Sequence, residues 1–166
     1  MGSIENLPPE RRVTIMRIVL GALLSGLAIF AGMVIALRYT GHPAAPAQLV
    51  MTYVCIVFTV ILALASAVVP ALVAANGRRQ LRDAPEPIAE SEWYGMYQTQ
   101  LIISASMLEG PGFFALIAFL TEGSLASLGL ALFLFIIIAL KMPSVPRVER
   151  WISNQQELLE RERQKS

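Results

Sequence analysis

The chain reads as an all-α protein: an integral membrane bundle of four transmembrane helices followed by a C-terminal cytoplasmic amphipathic helix. Three observations predict this. The 166 residues are 55% hydrophobic and only 15% charged, with a mean hydropathy of +0.61, where soluble domains carry about 25% charged residues. The apolar residues gather into four runs bounded by charges. Of the 13 Lys and Arg residues, all but Arg38 fall on one side of the membrane that those runs define.

The first span, about 14–39, is centred on the uncharged run Ile18 to Leu37 between Arg17 and Arg38. A helix needs about 20 such residues to cross the hydrocarbon core. Ala44, Ala45, Pro46 and Ala47 beyond it resemble a signal-peptidase site. Signal cores, however, run to about 7–15 residues and Arg38 intervenes, so an uncleaved span is expected. The second span, about 49–74, covers Leu49 to Val73, with Pro70 tolerated as a kink or an early stop. From Asn76 to Glu92, Pro85, Pro87 and mixed charges predict an irregular connection.

The third span, about 96–121, runs from Met96 to Leu120, and Trp93, Tyr94 and Tyr97 at its entry suit an interfacial aromatic belt. The fourth, about 124–141, runs from Leu125 to Leu140 and ends at Lys141, with Pro143 just beyond. Thr121, Glu122 and Gly123 leave only a tight turn between these two, which are therefore antiparallel neighbours. Residues 1–143 form the transmembrane domain and 144–166 a tail. In that tail Val148, Trp151, Ile152, Gln155, Leu158 and Leu159 recur at helical spacing, opposite Glu149, Arg150, Glu157, Glu160, Arg161 and Arg163. Such a helix lies on a membrane surface or pairs with another copy. Its mixed charges argue against nucleic acid and against a polybasic lipid anchor.

Arg11, Arg12 and Arg17 precede the first span, Arg78, Arg79 and Arg82 follow the second, and Lys141, Arg147, Arg150, Arg161, Arg163 and Lys165 follow the fourth. The positive-inside rule then places both termini and the 76–95 connection in the cytoplasm, with 39–48 and the Glu122 turn outside. The expected location is a bacterial cytoplasmic (inner) membrane, crossed several times.

Glu109 is the residue most informative about function. It is the only charged residue between Glu92 and Glu122, in the middle of an apolar run. A carboxylate at membrane depth is costly unless protonated, paired or facing a polar cavity, which makes it an ion-binding or proton-carrying candidate. Gly110, Pro111 and Gly112 follow it directly. Pro111 cannot donate a backbone hydrogen bond and crowds the carbonyl of Met107, so a kink or widened turn is expected beside the carboxyl. On the first span, Gly21, Ser25, Ala28 and Gly32 form a face of small side chains suited to close helix packing inside the bundle. On the second, Thr52, Cys55, Thr59 and Ser66 share a face. Thr52, Thr59, Ser66 and, on the third span itself, Ser106 are possible polar partners for Glu109.

The sequence assigns no catalytic residue, no metal site and no cofactor. Cys55 is the single cysteine, so no disulfide or thiolate cluster forms within one chain, and it reads as a small packing residue. The single histidine, His42, lies in the outward loop beside Pro43. There is no glycine-rich phosphate loop and no nucleophile elbow.

The stretch Gln98, Thr99, Leu101, Ile102, Ile103, Ser104, Ala105, Ser106, Met107, Leu108, Glu109 and on through Phe113, Phe114 and Ala115 resembles the carboxylate-bearing helix of ATP synthase subunit c. The resemblance covers one helix and implies that Glu109 carries an ion. Gly110, standing where sodium-binding versions have a hydroxyl, implies a proton. The repeated-glycine partner helix and the Arg-Gln-Pro loop of that family are missing, and four spans replace two. The whole chain is similar to small bacterial four-helix membrane proteins with an E-G-x-x-F-F-like third helix, and this resemblance implies no activity.

The expected function is that of a non-enzymatic structural or accessory membrane component with a buried neutral glutamate. The alternative is a proton-linked transporter or rotor-ring-like subunit using Glu109 as the proton carrier. The expected partners are the lipid bilayer and either further copies of the chain or another membrane protein, and not nucleic acid.

Overall fold

The computed structural model describes residues 8–41, 49–82 and 88–164. These form five helices: α1 (Pro9–Tyr39), α2 (Val50–Arg82), α3 (Glu90–Glu122), α4 (Leu125–Leu140) and α5 (Val145–Arg163). Proline opens α1 at its first turn, where a missing N–H costs nothing. Gly123 closes α3 in the left-handed region (φ 70), its N–H donating to Phe119 O at 2.8 Å. Only Gly123 and Ser124 separate α3 from α4, the antiparallel hairpin expected there.

Three helices, α1, α2 and α3, are long and apolar enough to cross a membrane, and α4 joined to α5 across a 73° bend gives up to a fourth. The helices α1 and α3 run from the base of the bundle, where α5 lies, to its top, and α2 and α4 run back. Two expectations about α2 need correction. Pro70 sits inside the helix rather than ending it, and the helix continues to Arg82. The connection expected from Asn76 to Glu92 is helical at both ends; Pro85 and Pro87 lie outside the described residues. Arg78, Arg79 and Arg82 project from a helical extension beyond the apolar run.

At the centre, α3 is packed against α1, α2 and α4. Its Ala105, Leu108, Ala115, Leu116 and Phe119 meet Leu20, Leu27 and Val34 of α1 and Ala131, Leu134 and Ile138 of α4 in one buried cluster. Alanine at 105, 115 and 118 is completely buried, which lets neighbouring backbones come close. Rings seal the sides: Phe30 meets Phe113 edge-on at 5.2 Å and Phe58 meets Phe114 at 6.1 Å.

The polarity of α2 is inverted relative to a soluble protein. The face it buries holds Thr52, Cys55, Thr59, Ser66, Pro70 and Ala74. Its outer face is aliphatic, with Val57, Ile61, Leu64, Val68 and Leu72 all well exposed. An apolar exterior of this extent on a soluble monomer is an aggregation or interaction surface; against hydrocarbon it is the ordinary solvent-facing side.

The small-residue face of α1 is not where the sequence reading placed it. Ser25, Ala28 and Gly32 are exposed and Gly21 is half-buried. A Cβ added at Gly21 or Gly32 meets nothing within 4 Å. The face that α1 buries is instead Val13, Met16, Leu20, Leu27 and Val34. Small side chains pack equally well toward a neighbour or toward lipid, so their spacing does not choose between the two.

The tail is helical, as its periodicity predicts, and it is docked on its own chain. Val148 is 0% and Leu159 3% exposed. Val148 joins Val13, Met16, Tyr94, Tyr97 and Leu101 in a second buried cluster, against which Trp151 and Ile152 pack. Trp151 stands edge-on to Tyr97 at 5.3 Å. Polar contacts fix the rest of α5: Arg78 pairs with Glu162 at 3.5 Å and donates to Gln155 Oε1, and Arg163 donates to Leu81 O at 3.0 Å. At the bend, Arg17 of α1 donates to Pro143 O at 2.8 Å.

Candidate functional site

Glu109 lies on the side of α3 that faces α1, and its side chain is half-buried. A Cβ built on Gly26 of α1 falls 3.9 Å from Glu109 Oε1, so the glycine lets the carboxyl approach the α1 backbone. No hydrogen bond or ion pair to Glu109 is present among the described residues. Around it, α3 is one uninterrupted helix through Gly110, Pro111 and Gly112, and the expected widened turn does not interrupt it. Gly112 has a packing role: a Cβ there falls 3.2 Å from both Leu27 methyl groups. Gly110 is exposed and open, with nothing within 4 Å of an added Cβ.

The candidate polar partners go elsewhere. Thr52 accompanies Ser127, Oγ1 to Oγ at 2.8 Å, at the top of the bundle. Ser66 Oγ donates to Ala63 O of its own helix at 2.8 Å. Thr59 Oγ1 is buried, with the Cys55 thiol one helical turn away as its polar neighbour. Ser106 is exposed. Cys55 is buried and places its thiol 3.9 Å from Pro111 O. The hydrogen-bonded polar groups therefore form a top cluster and a base cluster, and among the described residues none of them bonds to Glu109.

At the top, Glu122 satisfies the open start of α2. Its carboxylate accepts from Met51 N–H at 2.5 Å, Thr52 N–H at 2.9 Å and Thr52 Oγ1 at 2.5 Å. A negative charge there also meets the positive end of the α2 dipole. Partial burial pushes the Glu122 carboxyl up, but the hydrogen bonds from Thr52 and from the Met51 and Thr52 amides outweigh it and hold the carboxyl below its ordinary range. Arg38 donates to Leu120 O at 3.4 Å and covers Gly123, where a Cβ would sit 2.8 Å from its Cζ. A cation at the negative end of α3 is the mirror of Glu122 at the positive end of α2.

At the base, Ser104 donates to Ser66 O at 3.3 Å and accepts from Lys141 Nζ. Arg147 donates to Leu140 O, the last carbonyl of α4, at 3.0 Å and to Met142 O just beyond the helix at 3.4 Å. A cavity of about 370 Å³ opens beside these groups. Among the described residues no group of three or more His, Cys, Asp and Glu side chains is placed to hold a metal, and His42 lies outside them.

Sequence reasoning missed Gly26, Glu122 as a helix cap, and the joint role of Ser104, Lys141 and Arg147. Glu122 and Thr52 lie 70 residues apart, so no local signal pairs them. Comparison with family models, with curated proteins and with solved structures found no match.

Proposed function

We propose that the chain is a non-enzymatic integral membrane protein, crossing a bacterial inner membrane four times with both ends in the cytoplasm, that serves as a structural or accessory component of a membrane assembly. The polarity inversion of α2 supports the membrane reading. Four spans are supported by the base contacts, because Arg17 at the start of α1 meets Pro143 after α4 and Arg78 at the end of α2 meets α5. The 16 residues of α4 cover about 24 Å at 1.5 Å per residue, short of the hydrocarbon thickness of about 30 Å. Local thinning of the bilayer and an interfacial Lys141 accommodate that difference.

The observation that carries the accessory role is the isolation of Glu109. A carboxyl that, among the described residues, makes no hydrogen bond or ion pair with a base, nucleophile or hydroxyl has little chemistry to perform, and kept neutral it fills the space left by Gly26. The half-buried position at the α1–α3 seam also makes it available to a second copy or a partner helix. That same accessibility favours the second reading, in which Glu109 loads and releases a proton, as the subunit c resemblance implies. Reconstituted vesicles carrying a pH gradient test the two. On the accessory reading, Glu109→Gln leaves proton permeability and assembly size unchanged; proton flux lost in that variant establishes the carrier reading.

A further inference from the structure

We infer that the cavity at the α4–α5 bend is a binding site for one phosphate group, supplied by the headgroup of an anionic phospholipid. It is lined by Ser66 and Pro70 of α2, Tyr97, Gln100 and Ser104 of α3, Lys141 after α4, and Arg147 and Trp151 of α5. Two cations and several neutral donors converge there, and no carboxylate lines the cavity. Lys141 is half-buried and reaches Ser104 Oγ, while Arg147 is exposed and uses one guanidinium nitrogen on the Leu140 and Met142 carbonyls. A guanidinium has five N–H donors, so others remain to grip a second acceptor. Neither cation forms an ion pair with a carboxylate among the described residues. A phosphate placed between them supplies the missing charge.

Two further observations select a lipid as the carrier. Tyr97 and Trp151 form part of the wall as an edge-on pair, and amphipathic rings of this kind sit at headgroup level. Ala67 lines the cavity on the α2 side, and the exposed Leu64 one turn before it on the same helix continues that edge as an aliphatic surface along which an acyl chain can lie. Gln100 Oε1 is buried with no hydrogen-bond partner among the described residues. A headgroup bearing hydroxyls as well as phosphate, as in phosphatidylglycerol, provides a donor. The cavity volume falls within the usual range for small-ligand sites, about 300–1,000 Å³. Basic pockets between helices on the cytoplasmic side are suited to anionic headgroups. This site is built from the bundle and the bend, and it does not depend on the mixed-charge outer face of α5.

The inference rests on the membrane reading only for the source of the phosphate, and the experiment separates the two. Protein in neutral detergent is mixed with equal phosphatidylglycerol and phosphatidylcholine, and retained lipid is counted by native mass spectrometry. A second arm titrates inorganic phosphate into lipid-free protein, following the fluorescence of Trp151 in a Trp93→Phe background. Preferential retention of one phosphatidylglycerol, weakened about fivefold by Lys141→Gln or Arg147→Gln and restored in Lys141→Arg, supports the lipid-borne phosphate. Saturable binding of inorganic phosphate with the same mutational pattern, and no lipid preference, supports the phosphate site and assigns it a soluble source. Equal retention of both lipids with no phosphate response overturns the proposal, as does anionic-lipid retention that Lys141→Gln leaves intact. Circular dichroism of each variant confirms that the helices remain, and Lys141→Arg keeps the test open if Lys141→Gln does not fold.

Discussion

Glu122 at the end of α3 caps the start of α2 through Thr52, accepting from both its amide and its hydroxyl at 2.9 and 2.5 Å. Thr52 Oγ1 in turn meets Ser127 of α4 at 2.8 Å, so one carboxylate ties together three helices at the top of the bundle. The hydrogen bonds outweigh partial burial and lower the carboxyl's pKa, and a lowered folded value fixes the sign of the pH dependence. The stabilisation is complete above the unfolded reference of about 4.3. It declines as pH falls through that value and is gone below the lower folded value. Thermal unfolding in detergent, compared between wild type and Glu122→Gln, reads it: the gap between the two is expected to be widest near neutrality and to close in acid. Parallel curves at every pH would remove the cap from the account.

Gly110 and Gly112 flank the same proline and are expected to respond oppositely. At Gly112 an added Cβ falls 3.2 Å from both Leu27 methyls. Gly112→Ala therefore overpacks the α1–α3 seam, at a cost of about 1–3 kcal/mol, and Leu27→Val is expected to relieve it. Gly110→Ala meets open space and is expected to be neutral or stabilising, by up to about 1 kcal/mol from helix propensity. Equal destabilisation by the two would mean that backbone flexibility beside Glu109, rather than contact with Leu27, is what these glycines provide.

The tail is expected to come loose through its buried positions and not through its exposed ones. Val148 is 0% and Leu159 3% exposed, whereas Leu158 is 40% exposed. Replacing Val148 and Leu159 with Ser is expected to expose α5 to protease while the membrane helices stay resistant. Leu158→Ser is expected to leave cleavage nearly unchanged. Sensitivity at Leu158 alone would show that the helix docks on a membrane or a partner with its other face.

The fold class was readable because hydrocarbon imposes long apolar runs, and the ends of α3 and α4 lie within a residue or two of the charges that bound them. The buried face of α2 was readable for a related reason. Thr52, Thr59 and Ser66 recur every seven residues, and polar side chains turn away from lipid. Their partners were not readable, because a hydroxyl is satisfied equally by its own helix, as Ser66 is by Ala63 O, or by a residue remote in sequence, as Thr52 is by Glu122. The small residues of α1 misled for lack of contrast between lipid and protein interior. Arg78, Arg79 and Arg82 misled because charge ends a membrane span without ending a helix, and the extension of α2 to Arg82 is the platform on which α5 docks.

Topology is open to a direct check. Arg17, Pro143, Arg78 and Gln155 meet at one end of the bundle, so a reporter fused after Ser166 and one inserted between residues 83 and 87 are expected to report the same, cytoplasmic side. A reporter between residues 42 and 48 is expected to report the outside. Opposite signals from the first two positions would require α4 to stop short of crossing.

Glu109 is the sharpest discriminator between the two functional readings, because it stands beside Gly26 and makes no hydrogen bond or ion pair among the described residues. A neutral carboxyl and a carboxamide have nearly the same shape and hydrogen-bonding capacity, so Glu109→Gln is expected to preserve stability to within about 0.5 kcal/mol. Under the accessory role it also preserves assembly, and infrared spectra in lipid show a protonated carboxyl band that does not titrate across the neutral range. Under the carrier role, folding is again intact, but the band titrates and proton flux disappears in the variant, with Glu109→Asp retaining part of it. Gly26→Leu adds an independent test, since it fills the space in front of the carboxyl: it is expected to disturb the α1–α3 seam under either role, but to shift a titration midpoint only if protons reach Glu109 from that side. A Glu109 that proves ionised at pH 7, with no cation beside it, would defeat both roles and indicate a water-filled path along the seam.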